Sequence, residues 1–401
     1  MKRYDVVIIG AGLAGLQCAR LLGEHGARVL LADRKLSLTD AIHTTGIFVR
    51  RTLEDFDFPP DCLGPPVRNV TLYSPARREL RLESTHDEFR VGRMGKLYTH
   101  YLDECTSAGV EWAPATRFAG CETIGTDSLV RFETEGTRWD ARTGFLVGGD
   151  GARSRVARDL ELDLNYEWIV GVEDVFADVP LDGPPRFHCF LDPALAPGYL
   201  AWVVQDGEES HIGVGGYAKR FDPLRALETF RRSVDGSIVD LTRAERIERR
   251  GGRIPVGGVL RRIASERGLL IGDAAGAVSP LTAGGLDPCM RLSSLAAEVI
   301  VSYLKSGDRD SLASYSGEAF RSRFTSRLWM RRILAQLNQP LLLETACAAM
   351  RLPLFNSLAW HVFFGRGSFP DAAVSANRKL FTGSAGVPPA LSAKREQDVR
   401  T

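Results

Sequence analysis

Residues 4–9, Tyr-Asp-Val-Val-Ile-Ile, stop abruptly at Gly10-Ala11-Gly12-Leu13-Ala14-Gly15. A short β-branched run of this kind reads as a strand buried on both faces of a parallel sheet. Residues 13–25 then carry apolar side chains at helical spacing, and Gly26 closes them. Residues 28–32 are again strand-like and end at Asp33. Strand, helix and strand fit in about 30 residues, the length of a βαβ unit. Within it Gly10 permits the tight turn, Gly12 lets the backbone approach a pyrophosphate, and Gly15 lets the helix pack on the strand. The helix start at Leu13 and Ala14 offers free N–H groups and a partial positive charge to phosphates. Asp33, with Arg34 beside it, stands where a carboxylate accepts hydrogen bonds from an adenosine ribose. The pattern predicts a dinucleotide site.

Two further glycine-rich stretches follow short apolar runs. One is Gly149-Asp150-Gly151-Ala152-Arg153-Ser154; the other is Gly272-Asp273-Ala274-Ala275-Gly276, which runs on to Pro280 and Gly284-Gly285. Asp273 sits just before a turn, placed to bind a ribityl hydroxyl. Gly284-Gly285 opens a helix at Leu286 whose bare N–H groups suit the N1–C2 edge of a flavin, where reduction adds negative charge. A lone glycine fingerprint does not separate FAD from NAD. The order and spread of all three select FAD.

Together these elements resemble the FAD-dependent oxidoreductases of the glutathione-reductase-like class that includes p-hydroxybenzoate hydroxylase. The stretch 272–285, Gly-Asp-Ala-Ala-Gly-Ala-Val-Ser-Pro-Leu-Thr-Ala-Gly-Gly, and the ending 363–370 resemble the geranylgeranyl reductase family within it. The resemblance covers about residues 4–370. It implies that Arg93, at the start of a helix over 94–107, reaches the FAD. It also implies that Asp150 and Gly151 lie near flavin and pyrophosphate, and that Phe118 backbone atoms help form the adenine pocket. Two departures stand out. That family often has a cysteine in the loop after the second strand, and here the loop is Ile42-His43-Thr44-Thr45-Gly46-Ile47. The family's aromatic motif ends in Phe-Pro; here Tyr199 and Trp202 remain as candidate substrate-pocket residues, but the Phe-Pro does not.

The expected fold class is α/β: a Rossmann-like FAD-binding domain with a parallel sheet, an antiparallel-sheet substrate domain, and C-terminal helices. The FAD-binding domain is assigned to 1–66, 92–163 and 255–305. The substrate domain takes 67–91 and 164–254. Helices over 285–304, 311–337, 340–351 and 353–364 carry the chain through a helical region at 306–366, and an extended or disordered tail is expected over 367–401. The apolar stretch 352–365 reads as a buried helix, too short for a membrane span. Lys and Arg total 51 against 50 Asp and Glu, so no general attraction to nucleic acid follows. Seven scattered cysteines without a CxxC pair give no metal site and suit a reducing cytoplasm. The first residues enter a strand directly, leaving no room for a signal peptide.

The resemblance implies reduction of carbon–carbon double bonds in an isoprenoid or other lipid. Such a reaction takes hydride from the flavin and a proton from elsewhere. His43, Thr45 and Asp287 are the candidate acids by position. Plainer readings are preferred for two of them: His43 as a loop histidine bonded to backbone, and Asp287 as a first-turn carboxylate favoured by the helix dipole. The alternatives are an aromatic or lipid monooxygenase and a flavoprotein that only passes electrons; no Trp-x-Trp-x-Ile-Pro motif supports halogenation. No second dinucleotide fingerprint occurs, because Gly213-Val214-Gly215-Gly216 has the wrong frame. The electron donor is therefore NAD(P)H binding transiently or a small redox protein. Arginines mixed with large apolar side chains over 328–334 suit peripheral contact with a membrane, but the preferred reading is an amphipathic helix packed on the FAD lobe.

Overall fold

The computed structural model describes residues 1–365. The expected tail at 367–401, and the part of the family-like ending beyond Gly365, lie outside these residues. The strands form sheets of eight, seven and three among the described residues.

The first sheet has the predicted βαβ start at its centre. Gly268–Leu270, Thr137–Gly148, Arg3–Ile9, Val29–Ala32 and Glu111–Ala113 pair in parallel, in that order. Their middle residues, such as Val7, Leu30 and Leu146, have no exposed surface, which is why they read as unbroken apolar runs. Asp127–Thr134 and Thr116–Ile124 extend this sheet as antiparallel strands. Helix α1 (Leu13–Glu24) packs against both α2 (Met94–Ser107) and, much later in the chain, α4 (Leu286–Ser306), with α3 (Pro223–Val234) elsewhere.

In the seven-stranded sheet, Glu245–Pro255, Trp168–Ala177, Glu209–Gly216, Ala201–Gln205 and Arg186–Phe190 pair antiparallel in that order. Arg186–Phe190 then meets Asn69–Tyr73 in parallel, so this sheet is mixed rather than purely antiparallel. A second correction concerns 67–91. Asn69–Tyr73 and Glu79–Glu83 join the large sheet, but Phe89–Gly92 leaves it to pair with Ile47–Val49 and Leu63–Val67. One face of the large sheet puts Val203, Ile212 and Val214 under Leu227 and Phe230 of α3. The other face turns Glu173, Trp202 and Arg250 toward the first sheet's glycine turns.

The single helix expected over 311–337 is broken. A short 3-10 turn (Arg309–Leu312) and a helix over Gly317–Ser322 precede α5 (Thr325–Gln336). Ser316 caps the middle piece, its hydroxyl accepting from the Ala319 N–H. A Cβ at Gly317 would stand 2.0 Å from the Leu260 carbonyl oxygen, so the chain turns where it touches backbone. Helices α6 (Pro340–Ala349) and α7 (Pro353–Phe364) follow. The reading of 352–365 as a buried helix is also corrected, because Leu352, Phe355, Leu358 and Trp360 are exposed.

Candidate functional site

A cavity of about 1460 Å3 runs between the two large sheets. That exceeds the roughly 300–1,000 Å3 typical of small-molecule pockets. One end is lined by the three glycine stretches and the 43–46 loop, and the other by apolar residues of α5, α6 and α7.

The glycine turn is set by close backbone approach. Gly10 has φ +103°, and a Cβ there would lie 2.2 Å from the Gly149 carbonyl oxygen. At Gly15 a Cβ would lie 1.8 Å from the Gly10 carbonyl oxygen, so α1 seats directly on the turn. Gly12 differs: a Cβ there would meet nothing within 4 Å. It caps α1 with no side chain of its own, so the first-turn amides face open space. Asp33 holds the turn from the next strand, accepting from the N–H groups of Ala11 and Lys35 at 2.8 Å each. A carboxylate has further lone pairs for a ribose. Arg34 and Phe118 line the same end, and the Phe118 carbonyl accepts from Arg155 at 3.1 Å.

Gly151 lines the cavity beside Asp150. Asp150 directs its carboxylate back into its own chain, accepting from the Ser154 hydroxyl and the Arg155 amide at 2.6 Å each. Burial nevertheless raises its pKa. Asp273 has no such partner. Its carboxylate lines the cavity with no side-chain hydrogen bond or ion pair, and burial pushes its pKa up to about 6. Gly284, Gly285 and Leu286 line the cavity where α4 begins, again without a side-chain cap. Two uncapped helix starts, an open glycine and an unpartnered carboxylate therefore face one space. That combination fits a phosphate-bearing cofactor with hydroxyls.

A prediction follows for Asp273. The folded carboxyl binds its proton more tightly than the unfolded one, so stability falls as pH rises from about 4 to 6 and the loss is complete above that. Asp273→Asn is expected to stabilise the cofactor-free protein by on the order of 1 kcal/mol at pH 8, and not at pH 4. It is also expected to weaken cofactor binding. Denaturant unfolding at both pH values measures the first effect, and an equal change at both would sink the account.

Arg93 is a correction. It is absent from the cavity lining, and its guanidinium meets the carboxylates of Asp206, Glu208 and Glu209 at 2.9, 2.6 and 3.1 Å. The buried Asp206 carboxylate draws it there. His43 lines the cavity, and its Nδ1 lies 2.9 Å from the Gly251 carbonyl. Asp287 is engaged by the Thr52 hydroxyl and the Arg291 guanidinium at 2.9 Å each. Thr45 lines the cavity and donates to Glu173 at 2.6 Å. Cys289, in the first turn of α4, also lines the cavity, but burial pushes its thiol up and keeps it protonated.

Tyr199 and Trp202 both line the cavity. The Tyr199 hydroxyl donates to the Thr282 carbonyl at 2.6 Å, joining the large sheet to the turn before α4. The Trp202 indole N–H donates to Glu173 at 3.0 Å. The 213–216 glycines explain how these rings fit. A Cβ at Gly213 would lie 2.2 Å from the Trp202 ring, and one at Gly215 would lie 2.7 Å from Tyr199. The glycines serve ring seating, not phosphate binding.

A family model described as "FAD binding domain" matches residues 3–59 and 66–329. The chain belongs to that family. Digeranylgeranylglycerophospholipid reductase 1 of Methanopyrus kandleri is 28% identical to it over 365 residues, covering 84% of this chain and 92% of the relative. A geranylgeranyl bacteriochlorophyll reductase-like protein of Thermoplasma acidophilum has the same fold, with TM-score 0.79 and 19% identity over 95% of this chain and 100% of that one. The fold is shared with p-nitrophenol 4-monooxygenase of Pseudomonas putida, with TM-score 0.64 and 18% identity over 95% and 97% of the two chains. This flavoprotein is an FAD-dependent oxidoreductase related to the geranylgeranyl reductases.

Proposed function

We propose that the flavoprotein reduces carbon–carbon double bonds of an isoprenoid or other long apolar lipid. The cavity carries this reading: besides the glycine turns, its lining includes an apolar chamber of Met330, Ile333, Leu334, Leu343 and Val362. A lipid chain fills such a chamber, and removing its surface from water favours binding by about 0.8 kcal/mol per CH2 group. In this reading the α1 amides beyond Gly12, together with Leu13 and Ala14, hold the pyrophosphate. Asp33, Arg34 and Phe118 hold the adenosine end. Asp273 takes a ribityl hydroxyl, and the N-terminus of α4 at Gly284, Gly285 and Leu286 faces the flavin ring. Bound there, FAD supplies the hydride. Tyr199 and Trp202 wall the place where substrate and flavin meet, while the apolar lining excludes water. The electron donor in this scheme is NAD(P)H or a small redox protein.

The deciding experiment is anaerobic. Stoichiometrically reduced holoprotein is mixed with geranylgeranyl diphosphate, and flavin reoxidation is followed with product mass. Reoxidation with a gain of two hydrogens per flavin supports ene-reduction. A flavin that stays reduced until air enters, with oxygenated product afterwards, replaces this reading with a monooxygenase.

No helix among the described residues is long and apolar enough to cross a membrane. The outer surfaces of α5, α6 and α7 nevertheless expose Trp329, Leu341, Leu342 and Trp360, beside the chamber that would take the lipid. This exposed apolar surface suits peripheral contact with a membrane, where a lipid substrate would reside. The holoprotein is expected to float with anionic lipid vesicles, and a Trp329→Ser, Leu341→Ser double variant to stay in solution. Equal flotation of both would remove the contact.

A further inference from the structure

A file of buried polar groups runs along the large sheet beside Trp202, whose indole N–H donates to Glu173 Oε2. Thr45, on the cavity wall, donates to Glu173 Oε2 at 2.6 Å. Glu173 Oε1 faces His211 Nδ1 at 3.5 Å. Neither of these two buried atoms is hydrogen-bonded among the described residues, so they meet as an ion pair, and Arg250 Nη1 stands 3.8 Å from the same Glu173 oxygen. On the far side His211 Nε2 lies 3.2 Å from Glu209 Oε2. Glu209 reaches partly exposed surface beside Arg93 and the exposed Glu208. The file thus runs from the cavity to solvent through an imidazole with no exposed surface.

A packed apolar interior would be more stable than this file, because burying charged and polar groups costs free energy even when they are paired. We infer that Glu173, His211 and Glu209 form a proton relay from the protein surface to Thr45 on the cavity wall. The inference rests on the ene-reductase reading. Hydride transferred from the flavin breaks the π bond and leaves its electron pair on the second carbon, which must then take a proton. The proton starts on His211 and passes to Oε1 of the Glu173 carboxylate. The Glu173 carboxyl then rotates to hand it to the Thr45 oxygen as Thr45 gives its own hydroxyl proton to carbon, and His211 recovers one from water through Glu209. The threonine hydroxyl suits this passage because its proton rotates freely.

The groups around His211 favour its charged form on balance. Burial opposes the imidazolium, but Glu173 on the neighbouring strand and Glu209 on its own strand outweigh burial and the repulsion of Arg250, so its pKa is raised. Arg93 faces it only through Glu209. Burial likewise opposes the Glu173 carboxylate, yet His211, Thr45 and Arg250 hold its pKa below the usual value. Each partner thus favours the charged form of the other, and the relay empties as pH rises through the His211 pKa.

The test compares wild type with Glu173→Gln, Glu209→Gln and Glu209→Asp as FAD-loaded protein. Single-turnover reoxidation by geranylgeranyl diphosphate is followed across pH, alongside NMR titration of the His211 ring and fluorescence titration of FAD affinity. Glu173→Gln is expected to slow reoxidation about 100-fold with FAD affinity unchanged. Should that variant fail to fold, Glu209→Gln stands in for it. Removing one carboxylate lowers the His211 pKa, so the alkaline fall of the rate moves to lower pH in step with the NMR titration, and Glu209→Asp restores both. A rate limb that stays fixed while the NMR titration moves overturns the relay, as does a His211 titration indifferent to Glu209. If wild type itself is not reoxidised, the ene-reductase reading fails first and takes the relay with it.

Discussion

Gly12→Val is expected to abolish FAD binding while leaving the cofactor-free fold as stable as wild type. A Cβ at this position meets nothing within 4 Å, and the backbone there, at φ −70° and ψ 177°, is open to any residue. The change should therefore fall within the ±0.5 kcal/mol usual for surface substitutions. What it fills is the space in front of the α1 amides. Losing that approach is expected to weaken FAD at least 100-fold, about 2.7 kcal/mol. Gly15→Ala gives the opposite pattern, because its Cβ would stand 1.8 Å from the Gly10 carbonyl oxygen. Overpacking of that kind costs about 1–3 kcal/mol in the cofactor-free protein. Flavin fluorescence titration and denaturant unfolding of both variants separate the two effects. A Gly12→Val protein that binds FAD normally would remove the pyrophosphate from this turn.

The second large effect concerns substrate length. Ala346 of α6 lines the apolar chamber without being fully buried, so a large side chain can enter there without breaking the core. Ala346→Trp is expected to exclude about one five-carbon isoprene unit. At about 0.8 kcal/mol per buried carbon the loss approaches 4 kcal/mol, and relaxation of the surrounding helices leaves roughly 3 kcal/mol, or a little over 100-fold. The kcat/KM for geranylgeranyl diphosphate should fall by that factor, while the shorter geranyl diphosphate reacts as with wild type. Equal losses for both chains would show that Ala346 does not lie on the lipid's path.

The parts of this molecule that were legible in its sequence are those whose cause is local. The buried parallel strands show as unbroken apolar runs because both faces are covered, and Gly10 and Gly15 stand where backbone meets backbone. Arg93 was misread because its partners Asp206, Glu208 and Glu209 lie more than a hundred residues away. A helix start predicts where the backbone goes, not which way a long side chain turns. The break near Gly317 was hidden for the same reason, since only the fold brings the Leu260 carbonyl against it. The Glu173 file did leave a trace. Glu173-Asp174 sits inside an apolar strand, and Arg249-Arg250 sits in the charged strand that pairs with it. The antiparallel register sets Glu173 opposite Arg250 and Asp174 opposite Arg249. Adjacent acids within a strand, matched by adjacent arginines, mark a sheet that buries charge on both faces.

The two sides of the cavity are held by different means. The sheet side is cross-tied: Arg250 donates to the carbonyls of Thr44 and Thr45, and Tyr199 reaches Thr282. The helical side buries less: α5 buries only Arg331 and α6 only Leu343 and Cys347, and single polar ties such as Arg327 to Ser279 and the Ala76 N–H to Glu344 hold them. Local opening is cheapest where little apolar surface is buried. In the proposed reading, lifting these helices while the sheet keeps its shape would give a long product its exit. Turnover would then be paced by departure rather than by chemistry, as in many enzymes with moving lids. Excluded salts such as sulfate, which strengthen apolar burial, would then slow the catalytic cycle without altering any step at the double bond.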